Sequence, residues 1–308
     1  MSDNPFTRMR PAISLFLAAL AGCTYPDPDL RPAPPRRTAF GEAIPVLKGY
    51  PKDRVTVKGD TVAFSHGHSI TLALGGLLRI SGGGLPLHVH SPEREEAKDP
   101  DLSPIDARLA WVVRDRSGAP YSRFQVFVGE VPDGAKRLVA SAESDLCQPD
   151  FSADGRAIVW TESFEGSPRL WMTDLASLKS TFITEGASPA TSPDGQWIAF
   201  EYGSPPSLFK VRLDGTDRTR LTEGIDARRP TWSPDSCWIA FGQFDSEGRA
   251  DDIWAVRSDG SRYLRVTWDP APEWDPCWAP DGRIYFTTIR NGAQGIWGVA
   301  QENKELLK

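Results

Sequence analysis

The chain holds four histidines, and they fall in two His-x-His pairs, His66-Gly67-His68 and His88-Val89-His90. Imidazole is a common ligand of Zn, Cu and Ni. In an extended segment His88 and His90 share one side, and Gly67 frees His66 and His68 to splay around a turn. Four imidazoles on one rim would make a divalent-metal site. Such a site would support metal-dependent chemistry. The alternative is a set of solvated loop histidines beside the charged run 91–99. A second set of candidates is Asp154, Asp194, Asp235 and Asp281, which resembles a ring of carboxylates. Each sits in a Pro/Ala-Asp-Gly/Ser tetrad, however, and that tetrad is a turn: proline presets φ, aspartate tolerates the third position, glycine supplies positive φ.

Other catalytic signatures are absent from the sequence. There is no Gly-x-Ser-x-Gly elbow, and Gly82-Gly83-Gly84 precedes Pro86 instead of opening a helix over a phosphate. Beyond Cys23 the cysteines are Cys147, Cys237 and Cys277, without zinc spacing and able to form one disulfide at most. Cys237 is expected in a turn and Cys277 early in an inner strand, toward opposite faces, which disfavours that pair. Trp232 and Trp278, with Phe151 in register, are expected to wedge between packing units as core.

The elements that must position these residues come from one repeated string. Ser192-Pro193-Asp194-Gly195-Gln196-Trp197-Ile198-Ala199-Phe200 recurs as Ser233-Pro234-Asp235-Ser236-Cys237-Trp238-Ile239-Ala240-Phe241. It returns as Ala279-Pro280-Asp281-Gly282 with Ile284-Tyr285-Phe286, and as Ser152-Ala153-Asp154-Gly155 with Ile158-Val159-Trp160. Fainter copies lie at Ser103-Pro104-Ile105-Asp106 and Gly59-Asp60. Each is a tight turn feeding a short β-branched and aromatic run, hence a strand. A third strand follows (Trp171-Met172, Phe209-Lys210-Val211, Trp254-Ala255-Val256, Trp297-Gly298-Val299). The Asp-Gly turns at 133, 214 and 259 come next, and then a fourth strand such as Thr219-Arg220-Leu221-Thr222. Four short strands per unit of roughly 40–45 residues are a propeller blade. The six anchors predict an all-β, six-bladed β-propeller of four-stranded antiparallel blades. Its last blade closes either with Lys304–Leu307 or with a strand borrowed from around Ile44–Leu47.

These strings resemble the TolB-type, WD40-like propeller repeat, Pro-x-Trp-Ser-Pro-Asp-Gly-x-x-Ile-Ala-Phe followed by Ile-Tyr or Ile-Trp, Asp-Gly and Leu-Thr. The likeness is strong from Pro149 onward and in phase from Arg54 to Val139. TolB itself carries an α/β domain before its propeller. Here a short segment precedes the first repeat, so a lone propeller is expected.

That segment reads as an export signal. Arg8 and Arg10 precede the short apolar run 12–20, too short to span a bilayer. Leu20-Ala21-Gly22-Cys23 resembles a bacterial lipobox, which implies cleavage after residue 22 and acylation of Cys23. Thr24 in place of an aspartate implies, by the same resemblance, sorting to the outer membrane, facing the periplasm. The prolines at 26, 28, 32, 34 and 35 make residues 23–40 a stiff tether. Residues 41–308 are then the propeller.

Lys and Arg number 35 against 41 Asp and Glu, a net charge of −6. Removing residues 1–22 takes away Asp3, Arg8 and Arg10 and leaves −7. No basic cluster accompanies this charge, which excludes nucleic acid and electrostatic binding to anionic lipid as the main business. The sequence reading is a lipid-anchored, non-catalytic scaffold of the cell envelope, with no resident cofactor, binding another envelope protein or a glycan. The alternative, implied by likeness to the metal-bearing propeller lyases of plant-cell-wall oligosaccharides, is a metal-dependent lyase or hydrolase acting on a saccharide through His66, His68, His88 and His90.

Overall fold

A computed structural model describes residues 44–48, 53–58, 61–66, 69–74, 87–89, 95–115, 123–130 and 135–301. The signal segment, Cys23 and the tether lie outside the described residues. All regular structure is β. After β1 (Ile44–Lys48) come β2–β5 (Asp53–Lys58, Thr61–His66, Ser69–Leu74, Leu87–Val89) and β6–β9 (Glu95–Leu102, Arg108–Asp115, Arg123–Glu130, Lys136–Ala142). Next are β10–β13 (Asp145–Phe151, Ala157–Phe164, Ser167–Asp174, Ser180–Glu185) and β14–β17 (Ala187–Thr191, Trp197–Tyr202, Ser207–Arg212, Thr219–Arg220). The series ends with β18–β21 (Asp226–Trp232, Trp238–Phe244, Ala250–Arg257, Tyr263–Arg265) and β22–β24 (Glu273–Trp278, Ile284–Arg290, Ala293–Val299).

These strands form six four-stranded antiparallel sheets, five of them meanders of consecutive strands. Five sheets are described with most of their side chains, and the sheet of β2–β5 chiefly through its backbone. The first strands β2, β6, β10, β14, β18 and β22 touch one another in that order, and β22 touches β2. The chain is therefore an all-β propeller of four-stranded antiparallel blades. In the sixth sheet the outermost strand is β1, paired antiparallel with β24 from Ile44↔Gly298 to Lys48↔Gly295. Of the two closures the sequence allowed, the borrowed N-terminal strand completes this sheet.

The repeated tetrad is a turn for a reason that involves its serine as well as its proline, aspartate and glycine. Ser192 N–H donates to Trp197 O, and Trp197 N–H donates back to Ser192 Oγ at 2.9 Å. Ser192 Oγ donates to Asp194 Oδ1, which also accepts Gln196 N–H at 3.0 Å. The same set recurs at Ser152–Asp154 and Ser233–Asp235. Gly195 has φ +70° and Ser236 takes glycine's place at +59°. The turn engages Oδ1 of each aspartate, and the Ser152 hydroxyl holds the Asp154 carboxyl below its ordinary range.

Apolar clusters lie between consecutive sheets. Between the fourth and fifth sheets, Ala190, Ala199, Leu208 and Leu221 meet Trp232, Ile239, Phe241 and Val256. Trp232, Trp278 and Phe151 are 4%, 6% and 3% exposed, the core positions expected of them. Cys147, Cys237 and Cys277 are not joined in a disulfide. One expectation is corrected: Cys277 is the fifth of the six residues of β22, late in the strand and toward the same end as the Cys237 turn.

Candidate functional site: the axial funnel

Each inner strand from β6 to β22 breaks its ladder at the same point. The register slips between Lys98 and Asp101, Cys147 and Asp150, Ala187 and Ala190, Arg228 and Thr231, and Trp274 and Cys277. Two residues there oppose one, which is a β-bulge. The first of the two is in the left-handed region and is never glycine: Asp99, Gln148, Ser188, Arg229 and Asp275, with φ from 52° to 56°. The second is always proline. An inner strand is the sheet edge that faces the axis, where a missing N–H does not break the ladder.

The bulge carries side chains around the axis from one sheet to the next. Asp99 Oδ2 accepts the N–H of Gln148 at 3.1 Å, and Gln148 Oε1 accepts that of Ser188 at 3.0 Å. The serine is too short to continue, and Glu201 of β15 substitutes, its Oε1 accepting the Arg229 N–H at 2.6 Å. Loss of water pushes the Glu201 carboxyl up. Arg229 then grips Asp275 with Nε and Nη1, each 2.9 Å from a carboxylate oxygen. A second tier lies one step beyond the prolines. Asp101 accepts from the Thr56 hydroxyl and the Phe151 N–H, Asp150 from the Thr191 N–H, and Thr231 from the Trp278 N–H.

Together these tiers enclose a cavity of ≈ 310 Å³ on the axis. Gln148, Ser188, Arg229 and Asp275 form its floor, and the turn prolines Pro104, Pro193, Pro234 and Pro280 line it toward the other end. Three carboxylates (Asp101, Asp150, Asp275) stand against one guanidinium (Arg229), so the described lining has a net charge of −2. Low-dielectric walls concentrate such a field. The arrangement offers acceptors, hydroxyls and apolar rings for holding a ligand. Cys147, beside the floor, has its thiol pushed up to about 12 by burial and then by Asp99, which favours the protonated thiol over the thiolate.

The sequence singled out other residues. His66 is the last residue of β3, and His88 lies within β5. Backbone register sets Thr71 of β4 opposite His88 and Ser69 opposite His66, with β4 between the two strands. His68 and His90 lie outside the described residues. Among the described residues no group of three His, Cys, Asp or Glu could hold a metal ion. Sequence reasoning missed the funnel residues, although a signal for them exists. Each bulge residue stands just before a proline in the recurring X-Pro-x-x-Ser/Ala pattern, for example Arg229-Pro230-Thr231-Trp232-Ser233.

The TolB beta propeller domain profile matches residues 101–307. The Tol-Pal system protein TolB of Francisella tularensis subsp. mediasiatica is 29% identical over 189 residues, 57% of this chain and 43% of the TolB chain. The chain thus spans less than half the length of the curated TolB proteins it matches. Among solved structures, the putative TolB from Agrobacterium tumefaciens superposes with a TM-score of 0.62 at 18% identity, covering 82% of this chain and 90% of the other. Oligogalacturonate lyase in complex with manganese superposes with a TM-score of 0.59 at 12% identity, covering 80% and 75%. At those identities the two structures share the fold alone.

Proposed function

Since this chain belongs to the TolB β-propeller family, we propose that it is a non-catalytic binding scaffold of the bacterial cell envelope, whose axial funnel receives a segment of another envelope protein. The observation that carries this reading is the funnel itself. It is enclosed by the inner strands, floored by an interlocked set of polar side chains, and lined by proline toward the turn end. Rigid scaffolds with such concavities are where ligands bind. The net negative lining favours a partner segment bearing a lysine, an arginine or a free amino terminus, with its aliphatic stem against the prolines. A glycan is the other candidate occupant, but it would leave that charge without a counterpart. The six sheets are read as six blades of one closed ring, residues 41–308.

The test is capture from detergent-solubilised envelope with the wild-type protein and an Asp101→Asn/Asp150→Asn variant. Asparagine keeps an acceptor oxygen for the Phe151 and Thr191 N–H groups, so the ring stays intact while the charge goes. A partner that binds the wild type, releases with salt, and binds the variant several-fold more weakly is the expected result. Equal capture by both proteins would move the site elsewhere.

Anchoring through an acylated Cys23 at the outer membrane, facing the periplasm, completes the reading. Cys23→Ser should transfer the protein from the membrane fraction to the soluble fraction, and retention in the membrane would refute the anchor. The alternative, a metal-dependent enzyme acting on a saccharide, rests on His66, His68, His88 and His90 as a divalent-metal set. The lyase likeness contributes the fold to that alternative and no ligands.

A further inference from the structure

The closing sheet departs from the repeat at one position. Two residues before the bulge, the inner strands carry Ala97, Leu146, Gly186 and Ala227, all buried. At Gly186 a Cβ would stand 2.3 Å from Phe200 Cδ2. In β22 the same position is Glu273, 0% exposed. Register pairs Glu273 with Thr288 of β23. Phe286, two residues from Thr288 and so on the same side of the strand, packs with Trp238, Ala240 and Ile253 of the fifth sheet. Glu273 and Thr288 therefore face the junction between the fifth and sixth sheets.

The groups around them are charged. Asp252 of β20, 1% exposed, is held by Arg265 of β21. Arg290 of β23 donates Nη2 to Glu273 Oε1 at 2.7 Å and Nη1 to Asp269 at 2.8 Å, with its guanidinium over the Trp297 ring. Oε2 of Glu273 and Oγ1 of Thr288 are buried without a hydrogen bond. Three carboxylates thus share two guanidiniums around a position that is hydrocarbon or glycine at Ala97, Leu146, Gly186 and Ala227. A well-packed apolar residue at such a place is commonly as stable as a buried ion pair or more so, so stability alone does not account for the glutamate.

We propose that this junction is a proton-controlled joint: Glu273 is a neutral acid in the closed ring, and loss of its proton loosens the sixth sheet from the fifth. A second anion beside Asp252, with Arg290 already shared by Asp269, has no adequate counter-charge. The joint lies in the sheet that β1 completes, so loosening it acts where the ring closes.

The direction of the effect follows from linkage. Burial first, and the Asp252 charge with it, pushes the Glu273 carboxyl from 4.5 up to about 8, against a hydrogen bond from Thr267 and the pull of Arg290. The unfolded chain releases this proton near the ordinary value and the folded chain near 8. The stabilisation is therefore full below pH 4.5 and is lost as pH rises through 8.

Thermal melts from pH 5 to 9, with hydrogen exchange across β22 and β23, test the joint. The wild type should lose melting temperature over that range and, relative to the base-catalysed intrinsic rate, lose exchange protection in those strands above pH 8. Glu273→Gln, uncharged throughout, should do neither. Parallel pH curves for the two proteins would overturn the proposal. If Glu273→Gln fails to fold, carbon-13 titration of the glutamate carboxyls decides in wild type and Asp252→Asn. One carboxyl should titrate near 8 in the wild type and move down in the variant, and a carboxyl that does not move would equally overturn it.

Discussion

Trp232→Ala should cost the ring about 3–5 kcal/mol, the usual range for truncating a buried aromatic residue. The indole is 4% exposed and fills the space between the fourth and fifth sheets, against Ala190, Leu208, Leu221 and Phe241. Its Nε1–H donates to Ala190 O at 2.8 Å. Alanine would leave both a cavity and an unsatisfied buried carbonyl, and the small residues Ala190, Ala199 and Ala227 around it have little reach to refill the space. Urea denaturation reads the loss. Trp232→Phe, which keeps most of the volume and drops the hydrogen bond, should cost clearly less. Trp232 lines the funnel as well as the junction, so the outcomes separate its two roles. A Trp232→Ala protein of unchanged stability that failed only to bind its partner would make the residue a ligand contact.

Deleting residues 40–50 should lower the melting temperature strongly and broaden the transition. The deletion removes β1, whose backbone pairs with β24 at four positions. It leaves an open edge beside Ile296 and Val299, both fully or almost fully buried in the intact ring. Each ladder hydrogen bond contributes about 0.5–1.5 kcal/mol net, so the direct loss is several kcal/mol before the seam between the first and sixth sheets is counted. The loss should extend beyond the edge, because β1 ties the start of the chain to its end. A deletion variant melting with the wild type would show that β1 contributes nothing to closure. The Glu273 joint acts in this same sheet, and a variant lacking β1 should open at lower pH than the intact chain.

The blades were legible in the sequence because their determinants are local. A serine that caps its own turn, an aspartate that accepts two residues on, a glycine at positive φ and a short β-branched run all operate within ten residues. Their recurrence gave the period. The same logic removed Asp154, Asp194, Asp235 and Asp281 as a catalytic ring, and each is indeed occupied by its turn. The funnel was not legible, since its contacts join residues one blade apart: Asp99 to Gln148, Asp150 to Thr191, Thr231 to Trp278. The bulges, which no local pattern announced, place five non-glycine residues at positive φ around the axis.

By itself the sequence determined the fold class, the repeat, the turn chemistry and the aromatic wedges, because each is set by neighbours in the chain. Only the tertiary structure decided which strand closes the last sheet and which charges meet in the funnel. It alone brought a buried glutamate beside Asp252 and Arg290 at a position that is hydrocarbon or glycine in the other described sheets. Those outcomes depend on how sheets tens of residues apart are brought into register, and on the loss of water that makes a carboxylate costly there.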